Sequence, residues 1–168
     1  MKKVIILFAF LFLLTACGSE SIDANKTKKD SFGGLSFEVP ESFSKKNMEE
    51  IENTSLIFSG YYYYFEKKGS NGKFDDMCSL SFFYDDKNND YSLERFAKIF
   101  QEDKTGTKKT INGIEWLIFK EEINEKMVDY IYYAKNNNRF YEVSYSDYGS
   151  GSLCGDALEI IEKSLKFE

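Results

Sequence analysis

The sequence predicts an α+β domain in which helices flank a central antiparallel β-sheet. Several β-type runs are joined by short turn signals, two segments have helical periodicity, and aromatic residues make up 17% of the chain. Tight hairpin turns make neighbouring strands antiparallel, and aromatic residues favour strands. Because several of the strands have apolar residues on both sides, we expect both faces of the sheet to be covered.

Residues 1–16 are predicted to be a lipoprotein signal peptide. Lys2 and Lys3 precede an apolar run of eleven residues, Val4 to Leu14. A membrane-spanning helix needs about 20 apolar residues, whereas a basic start and a short apolar run describe an export signal. The following stretch, "LTAC", resembles the lipobox of bacterial lipoproteins. The resemblance implies lipid attachment at Cys17 and cleavage just before it. The alternatives are a plain secretory signal and a retained transmembrane helix.

The next segment, residues 17–32, is expected to be a lipidated cysteine followed by a flexible tether. Gly18 to Asp30 is polar and rich in lysine, with no apolar period. Such a composition is typical of a linker. We therefore expect one folded domain over residues 33–168, beginning near Phe32 or Leu35.

The first part of this domain has strand patterns. Leu35 to Val39 alternates apolar and polar residues and stops at Pro40, the only proline. Alternation over several residues predicts a strand with one buried face. Two further β-type runs are residues 55–67 and 77–84, separated by a loop that contains Asn71-Gly72.

The period then changes to that of a helix over residues 91–103. Its apolar stripe is Leu93, Phe96, Ala97 and Phe100, with Asp90 or Ser92 as the N-cap. A second helix is predicted to begin after Asp156. Its stripe consists of Ala157, Leu158, Ile161 and Leu165.

Four strands between the two helices are predicted to form two hairpins. Asn112-Gly113 lies between two β-type runs and is a strong signal for a tight turn. "KMVDYIYYAK" and "RFYEVSYS" are separated by Asn136-Asn137-Asn138, which predicts the second turn. Trp116, in the first hairpin, is expected to lie in the core. Tyr61 to Tyr64 are also interpreted as core packing, with a stacking platform for a sugar or peptide as the alternative.

Composition excludes several kinds of chemistry. The sequence has no histidine, which excludes Ser-His-Asp and Cys-His catalysis and histidine-rich zinc sites. Loss of residues 1–16 removes two lysines, leaving 20 basic and 28 acidic residues and a net charge of −8. We therefore expect no nucleic-acid partner and no cofactor.

Two cysteines remain beside the lipidated Cys17. Cys78 and Cys154 are candidates for a disulfide, because such bonds persist outside the cytoplasm. The alternative is two separate, partly buried thiols.

Acidic loops offer two weak candidates for chemistry. Asp86, Asn88 and Asp90 have the spacing of the first calcium ligands of an EF-hand. The expected glycine and closing glutamate are replaced by Tyr91 and Ala97, so we expect no metal site. The pairs Asp75-Asp76 and Asp85-Asp86 are interpreted as solvated loop ends rather than as the two carboxyls of a glycosidase.

The folded part also resembles the PsbP-like fold that includes DcrB-type bacterial lipoproteins. The resemblance covers residues 33–168 and depends on the segments "GLSFEVPESF", "SLERFAKIF", "INGIEWLIF" and "ALEIIEKSLKF". It implies an α/β/α sandwich around an antiparallel sheet. Its members are mostly accessory or binding proteins with no shared catalytic residues.

Together these features predict a lipid-anchored lipoprotein on the extracytoplasmic face of the cell membrane. We expect a non-enzymatic binding module for an unknown envelope protein or ligand, with no catalytic residues. The alternative is a cell-envelope hydrolase that depends on carboxylates alone.

Overall fold

The computed structural model describes residues 25–45, 49–52, 59–68, 77–85, 90–125, 127–148 and 156–168, with the backbone alone at 49–52, 59–68 and 77. Two helices and eleven strands lie in these ranges. In chain order they are β1 (Thr27–Phe32), β2 (Leu35–Pro40), β3 (Ser44–Lys45), β4 (Glu49–Glu52), β5 (Ser59–Lys68), β6 (Met77–Asp85), α1 (Leu93–Gln101), β7 (Thr107–Ile111), β8 (Ile114–Asn124), β9 (Met127–Asn136), β10 (Arg139–Tyr148), α2 (Ala157–Ser164) and β11 (Lys166–Phe167).

Most of the strands form one large antiparallel sheet. Its order is β3-β5-β6-β10-β9-β8-β7, and β4 also pairs with β5. Both predicted hairpins are present, as β7–β8 and β9–β10. Asn112 and Gly113 have φ angles of 50° and 80°, and Asn137 has a φ of 53°. The turn signals therefore work through residues that tolerate positive φ.

Residues of the large sheet alternate between two cores. Trp116, Tyr132 and Val143 face a core shared with α2 and with a three-stranded sheet of order β1-β2-β11. Leu117 and Tyr133, each the next residue along its strand, face a core shared with α1. The expected burial of Trp116 is confirmed, with none of its surface exposed.

The fold class is α+β, as predicted, but the layers differ from the expected arrangement. One face of the large sheet is covered by a small sheet together with α2, and the other is packed against α1. The difference arises because β1 and β11 were not expected to be strands. β11 has two residues, too few to show a period in the sequence.

The predicted tether is wrong for its last six residues. Thr27–Phe32 is β1, which pairs along its whole length with β2. Only Phe32 supplies a buried apolar side chain, so no alternation was visible in the sequence. Polar and lysine-rich residues are common in edge strands, where charge discourages pairing with other chains. The domain therefore begins at or before Thr27 rather than at residue 33.

The predicted stripe of α2 is confirmed, whereas that of α1 is only partly right: Phe96 and Ala97 are buried, but Phe100 is 37% exposed and Gln101 is buried instead. Ser92 is the N-cap of α1, and its Oγ accepts a hydrogen bond from the Arg95 N–H at 3.2 Å. Asp156 is the N-cap of α2 without a side-chain hydrogen bond. Ile161 and Leu165 are buried, and Leu158 is partly buried against the same core.

A carboxylate joins α2 to the large sheet. Glu162 accepts a hydrogen bond of 2.7 Å from the Tyr132 hydroxyl and forms an ion pair, also 2.7 Å, with Lys109. Burial raises the pKa of Tyr132, and the neighbouring Glu162 raises it further. These two contacts attach α2 to β7 and β9 of the large sheet.

Candidate functional site

The cysteines are only partly within the described residues. Cys78 lies in β6, is fully buried and is disulfide-bonded. Cys17 and Cys154 lie outside the described residues, so lipid attachment at Cys17 and the pairing of Cys78 with Cys154 stay predictions.

The acidic loops also lie only partly within the described residues. Asp75, Asp76, Asp86 and Asn88 lie outside the described residues. Asp90 is exposed just before α1. Asp85 is fully buried at the end of β6, opposite Phe140, so its interpretation as a solvated loop residue is wrong. The sequence placed Asp85 next to a polar run, but its backbone is still part of the central sheet. The side chains of Tyr61 to Tyr64 also lie outside the described residues, and their packing stays a prediction.

A partly buried carboxyl that the sequence reasoning missed lies on the α1 side of the sheet. Glu142 accepts a hydrogen bond of 2.9 Å from Ser144 Oγ and also interacts with the Tyr133 hydroxyl. Tyr133 in turn accepts a hydrogen bond of 3.1 Å from Gln101 Nε2 of α1. Burial raises the pKa of Glu142, while its two hydrogen-bond donors oppose that shift. The alternation of "RFYEVSYS" places Glu142 on the same face as the buried Phe140, and that signal was available.

A second carboxyl on the same face lies too far away to form a catalytic pair. Asp129 is opposite Ser146, four residues along β10 from Glu142. Four residues of strand span about 13 Å, beyond the roughly 5–10 Å over which two glycosidase carboxyls cooperate. Burial raises the pKa of Asp129, a hydrogen bond from Ser146 opposes this, and Glu121 adds to the rise. Within the described ranges, no three cysteine or acidic side chains are grouped so that they could hold a metal ion.

Several grooves border the three-stranded sheet, and two of them are lined mainly by polar residues. The first, here called the strand groove, lies along β1, β2 and the end of α2 and has a volume of about 630 Å³. Several of its charged groups form ion pairs, Lys29 with Glu38 inside the groove and Asp30 with Lys45 outside it. Glu38 accepts a hydrogen bond of 2.7 Å from Thr27 and lies 3.9 Å from the Lys29 ammonium. Its lining residues are Lys29, Asp30, Ser31, Ser36, Phe37, Glu38, Lys163, Ser164, Lys166 and Glu168.

The second, here called the turn groove, lies between the β1–β2 turn and the β9–β10 turn. It has a volume of about 420 Å³ and shares Glu168 with the strand groove. Its lining residues are Gly33, Gly34, Asn136, Asn137, Asn138, Arg139, Tyr141 and Glu168. The two turns are distant in sequence, and only the packing of the small sheet on the large sheet brings them together.

One carbonyl oxygen holds the two turns of the turn groove in place. The Gly33 oxygen accepts hydrogen bonds from Arg139 Nη1 at 2.5 Å and from the Tyr141 hydroxyl at 2.8 Å. The Arg139 guanidinium also lies over the Tyr84 ring, 4.4 Å from its centroid. Gly33 has a φ of +62°, and a Cβ there would lie 2.5 Å from Tyr84 Cδ1. Both the backbone conformation and the close ring therefore require glycine.

Comparisons with known proteins identify a shared fold but no family. No family model matches the chain, and no curated protein matches it. A crystal structure from Bacteroides thetaiotaomicron is similar, with a TM-score of 0.52 and 12% sequence identity. The match covers 85% of this chain and 48% of that one, so this chain spans about half the length of its structural neighbour. At this identity the similarity concerns the fold alone.

Neither α1 nor α2 is long and apolar enough to cross a bilayer.

Proposed function

We propose that this chain is a lipoprotein anchored at Cys17 on the extracytoplasmic face of the cell membrane, and that its PsbP-like domain is a non-enzymatic binding module. The anchor is supported by the basic start, the short apolar run and the "LTAC" stretch. The disulfide at Cys78 supports an oxidising compartment, since such bonds are rare in the cytoplasm. The helices on opposite faces of the large sheet support the PsbP-like assignment.

The turn groove is the observation that carries the binding function. Its walls are held by hydrogen bonds from Arg139 and Tyr141 of β10 to Gly33 in the β1–β2 turn, so the groove exists before any ligand arrives. Preorganised surfaces lose less entropy on binding than mobile ones. Its rim also includes asparagine side chains that form no hydrogen bond within the described part of the chain. These groups are available to a ligand or partner.

Mass analysis of the mature N-terminus tests the anchor. The wild-type protein should begin at Cys17 and carry a diacylglyceryl group, and Cys17→Ser should abolish both lipidation and cleavage at this bond. A mature chain that begins elsewhere, or an unmodified Cys17, would contradict the proposal.

Photo-crosslinking in intact cells tests the binding function. A photoreactive residue at Asn138, on the rim of the turn groove, should capture a defined envelope component. The matched control position is Lys98, which is exposed on α1 at the opposite face of the large sheet. Equal capture at both positions, or none at Asn138, would argue against a binding site in this groove.

The second candidate function is a carboxylate-dependent hydrolase that uses Glu142. A partly buried carboxyl with a raised pKa is the kind of group that acts as a general acid. Its two donors, Ser144 and Tyr133, and the distance to Asp129 favour a structural role. A hydrolytic activity on envelope polymers that is lost in Glu142→Gln would reverse this order.

A further inference from the structure

We infer that the turn groove binds an uncharged glycan that bears acetamido groups, with Asn136, Asn137 and Asn138 as its hydrogen-bonding residues. This inference rests on the proposed binding function and names its ligand class.

The backbone conformation of the turn favours asparagine at only one of these three positions. Asn137 has a φ of 53°, a conformation that asparagine tolerates better than most residues. Asn136 is the last residue of β9, paired with Arg139, and Asn138 is not in the positive-φ region. Neither of these two positions has a backbone conformation that favours asparagine. Their amides nevertheless line the groove, and across the described residues none of the three side chains forms a hydrogen bond.

The groups available in the groove determine the class of ligand. Each asparagine amide offers two N–H donors and a carbonyl acceptor without any charge. A secondary acetamido group offers one donor and one acceptor, so it can pair with a primary amide at two points, while sugar hydroxyls can use the remaining positions. The charged residues of the groove, Arg139 and Glu168, have opposite signs, and the guanidinium is already held by Gly33 and Tyr84. The groove therefore has no excess charge that would select an ionic ligand.

A peptide fits the same groove less well. Peptide-binding sites generally use an open strand edge or pockets for apolar side chains. The turn groove is built from two turns, and its aromatic residue, Tyr141, is almost fully buried with its hydroxyl bonded to Gly33. The lining residues therefore provide neither an open strand edge nor a pocket for an apolar side chain.

The experiment uses the full chain in detergent micelles and the trisaccharide triacetylchitotriose as the probe. Titration followed by ¹H–¹⁵N NMR should give a Kd on the order of 1 mM, because contacts without an aromatic platform or charge are weak. The largest shifts should be at the side-chain amides of Asn136 to Asn138 and the backbone amides of Gly33 and Gly34. Maltotriose has a comparable size and hydroxyl groups but no acetamido group, and it should bind about tenfold more weakly.

Two variants test whether the asparagine amides contact the trisaccharide. Asn137→Gly keeps a residue that tolerates positive φ and removes the amide, and Asn138→Ala removes a second amide. Each should weaken binding about tenfold, which is the effect of losing about 1.4 kcal/mol. Lys166→Ala, in the adjoining strand groove, is the matched control and should leave the Kd unchanged.

Three results would overturn the inference. They are no shifts at about 10 mM trisaccharide, unchanged affinity in both asparagine variants, and equal binding of the peptide N-acetyl-trialanine amide. If Asn138 captures an envelope component in cells while the trisaccharide fails to bind, the glycan inference fails and the proposed binding function survives. If both experiments fail, the binding function fails with it.

Discussion

The side-chain amide of Asn112 donates a hydrogen bond of 2.9 Å to the carbonyl oxygen of Leu165, the C-cap residue of α2. The same Nδ2 lies 2.8 Å from the carbonyl oxygen of Lys163. The last carbonyls of a helix have no partner within the helix, and a side-chain donor can satisfy them. A turn residue of the β7–β8 hairpin therefore also caps a helix that lies about fifty residues further along the chain.

Asn112→Gly should separate these two roles. Glycine tolerates the positive φ of the turn but has no amide, so the variant should lose about 1 kcal/mol of unfolding free energy through the cap. Chemical denaturation gives the loss, and hydrogen exchange should show it at the end of α2. Asn137→Gly makes the same change in the β9–β10 turn, where the side chain caps nothing in the described residues, and should alter stability by less than about 0.5 kcal/mol. Equal losses in the two variants would contradict the capping role.

Gly33→Ala should destabilise the domain by about 2–4 kcal/mol, because both a positive φ and a clash with the Tyr84 ring are imposed. Gly113→Ala is the matched control. Gly113 has a φ of +80°, but a Cβ there would have no atom within 4 Å. This variant should cost only the backbone strain, about 1–2 kcal/mol. Thermal and chemical denaturation of both would test the difference, and a loss at Gly33 no greater than at Gly113 would show that Tyr84 moves aside freely.

Glu142→Gln should stabilise the folded protein at neutral pH. Because burial raises the pKa of Glu142, the folded state holds its proton at pH values where the unfolded chain has released it. The unfolding free energy therefore falls as the pH rises from the ordinary pKa of glutamate through the raised pKa, and is level above it. Because glutamine does not ionise, the variant removes this loss, and its unfolding free energy at pH 7 should be higher by an amount on the order of 1 kcal/mol. Denaturation curves across this pH range would measure it.

Glu122→Gln provides the control for that pH profile. Glu122 is exposed and accepts a hydrogen bond of 2.5 Å from Lys120, which lowers its pKa. Its contribution has the opposite sign, since it is lost as the pH falls through the lowered pKa. A profile in which Glu142→Gln and Glu122→Gln behave alike would contradict the raised pKa of Glu142.

Cys78 is expected to be bonded to Cys154 in the mature protein, because lipidation would remove Cys17 as a partner. Peptide mapping without reduction should give this linked pair, also in Cys17→Ser. The bond closes a long loop, so Cys154→Ser should cost about 4–5 kcal/mol in the chain-entropy account. A free thiol at Cys154, or a peptide that links Cys17 to Cys78, would contradict the pairing.

The sequence was informative where local chemistry decides the structure. The Asn112-Gly113 turn, the Ser92 cap and the stripe containing Ile161 and Leu165 all act within a few residues of themselves. β1 was missed because its strand conformation depends on pairing with β2 and on a single buried residue, Phe32.

The candidate site was beyond local reasoning for the same reason. Asn136 to Asn138 were recognisable as a turn, but nothing near them in sequence points to Gly33, about a hundred residues earlier. Their proximity follows from the packing of the small sheet on the large one. The position of Glu142 on the α1 side could be predicted, because it shares a face with Phe140, whereas its contact with Tyr133 and through it with Gln101 of α1 could not.

The start of β1 at Thr27 limits how far the domain can lie from a lipid on Cys17. If Cys17 carries the proposed anchor, nine residues lie between it and Thr27, and even a fully extended chain over these ten steps reaches only about 35 Å. The turn groove would then be confined to a thin shell above the membrane. A short tether gives an effective concentration in the millimolar range towards any site within its reach. A polymer that lies in this shell would therefore be held by contacts that, in free solution, would be too weak to matter.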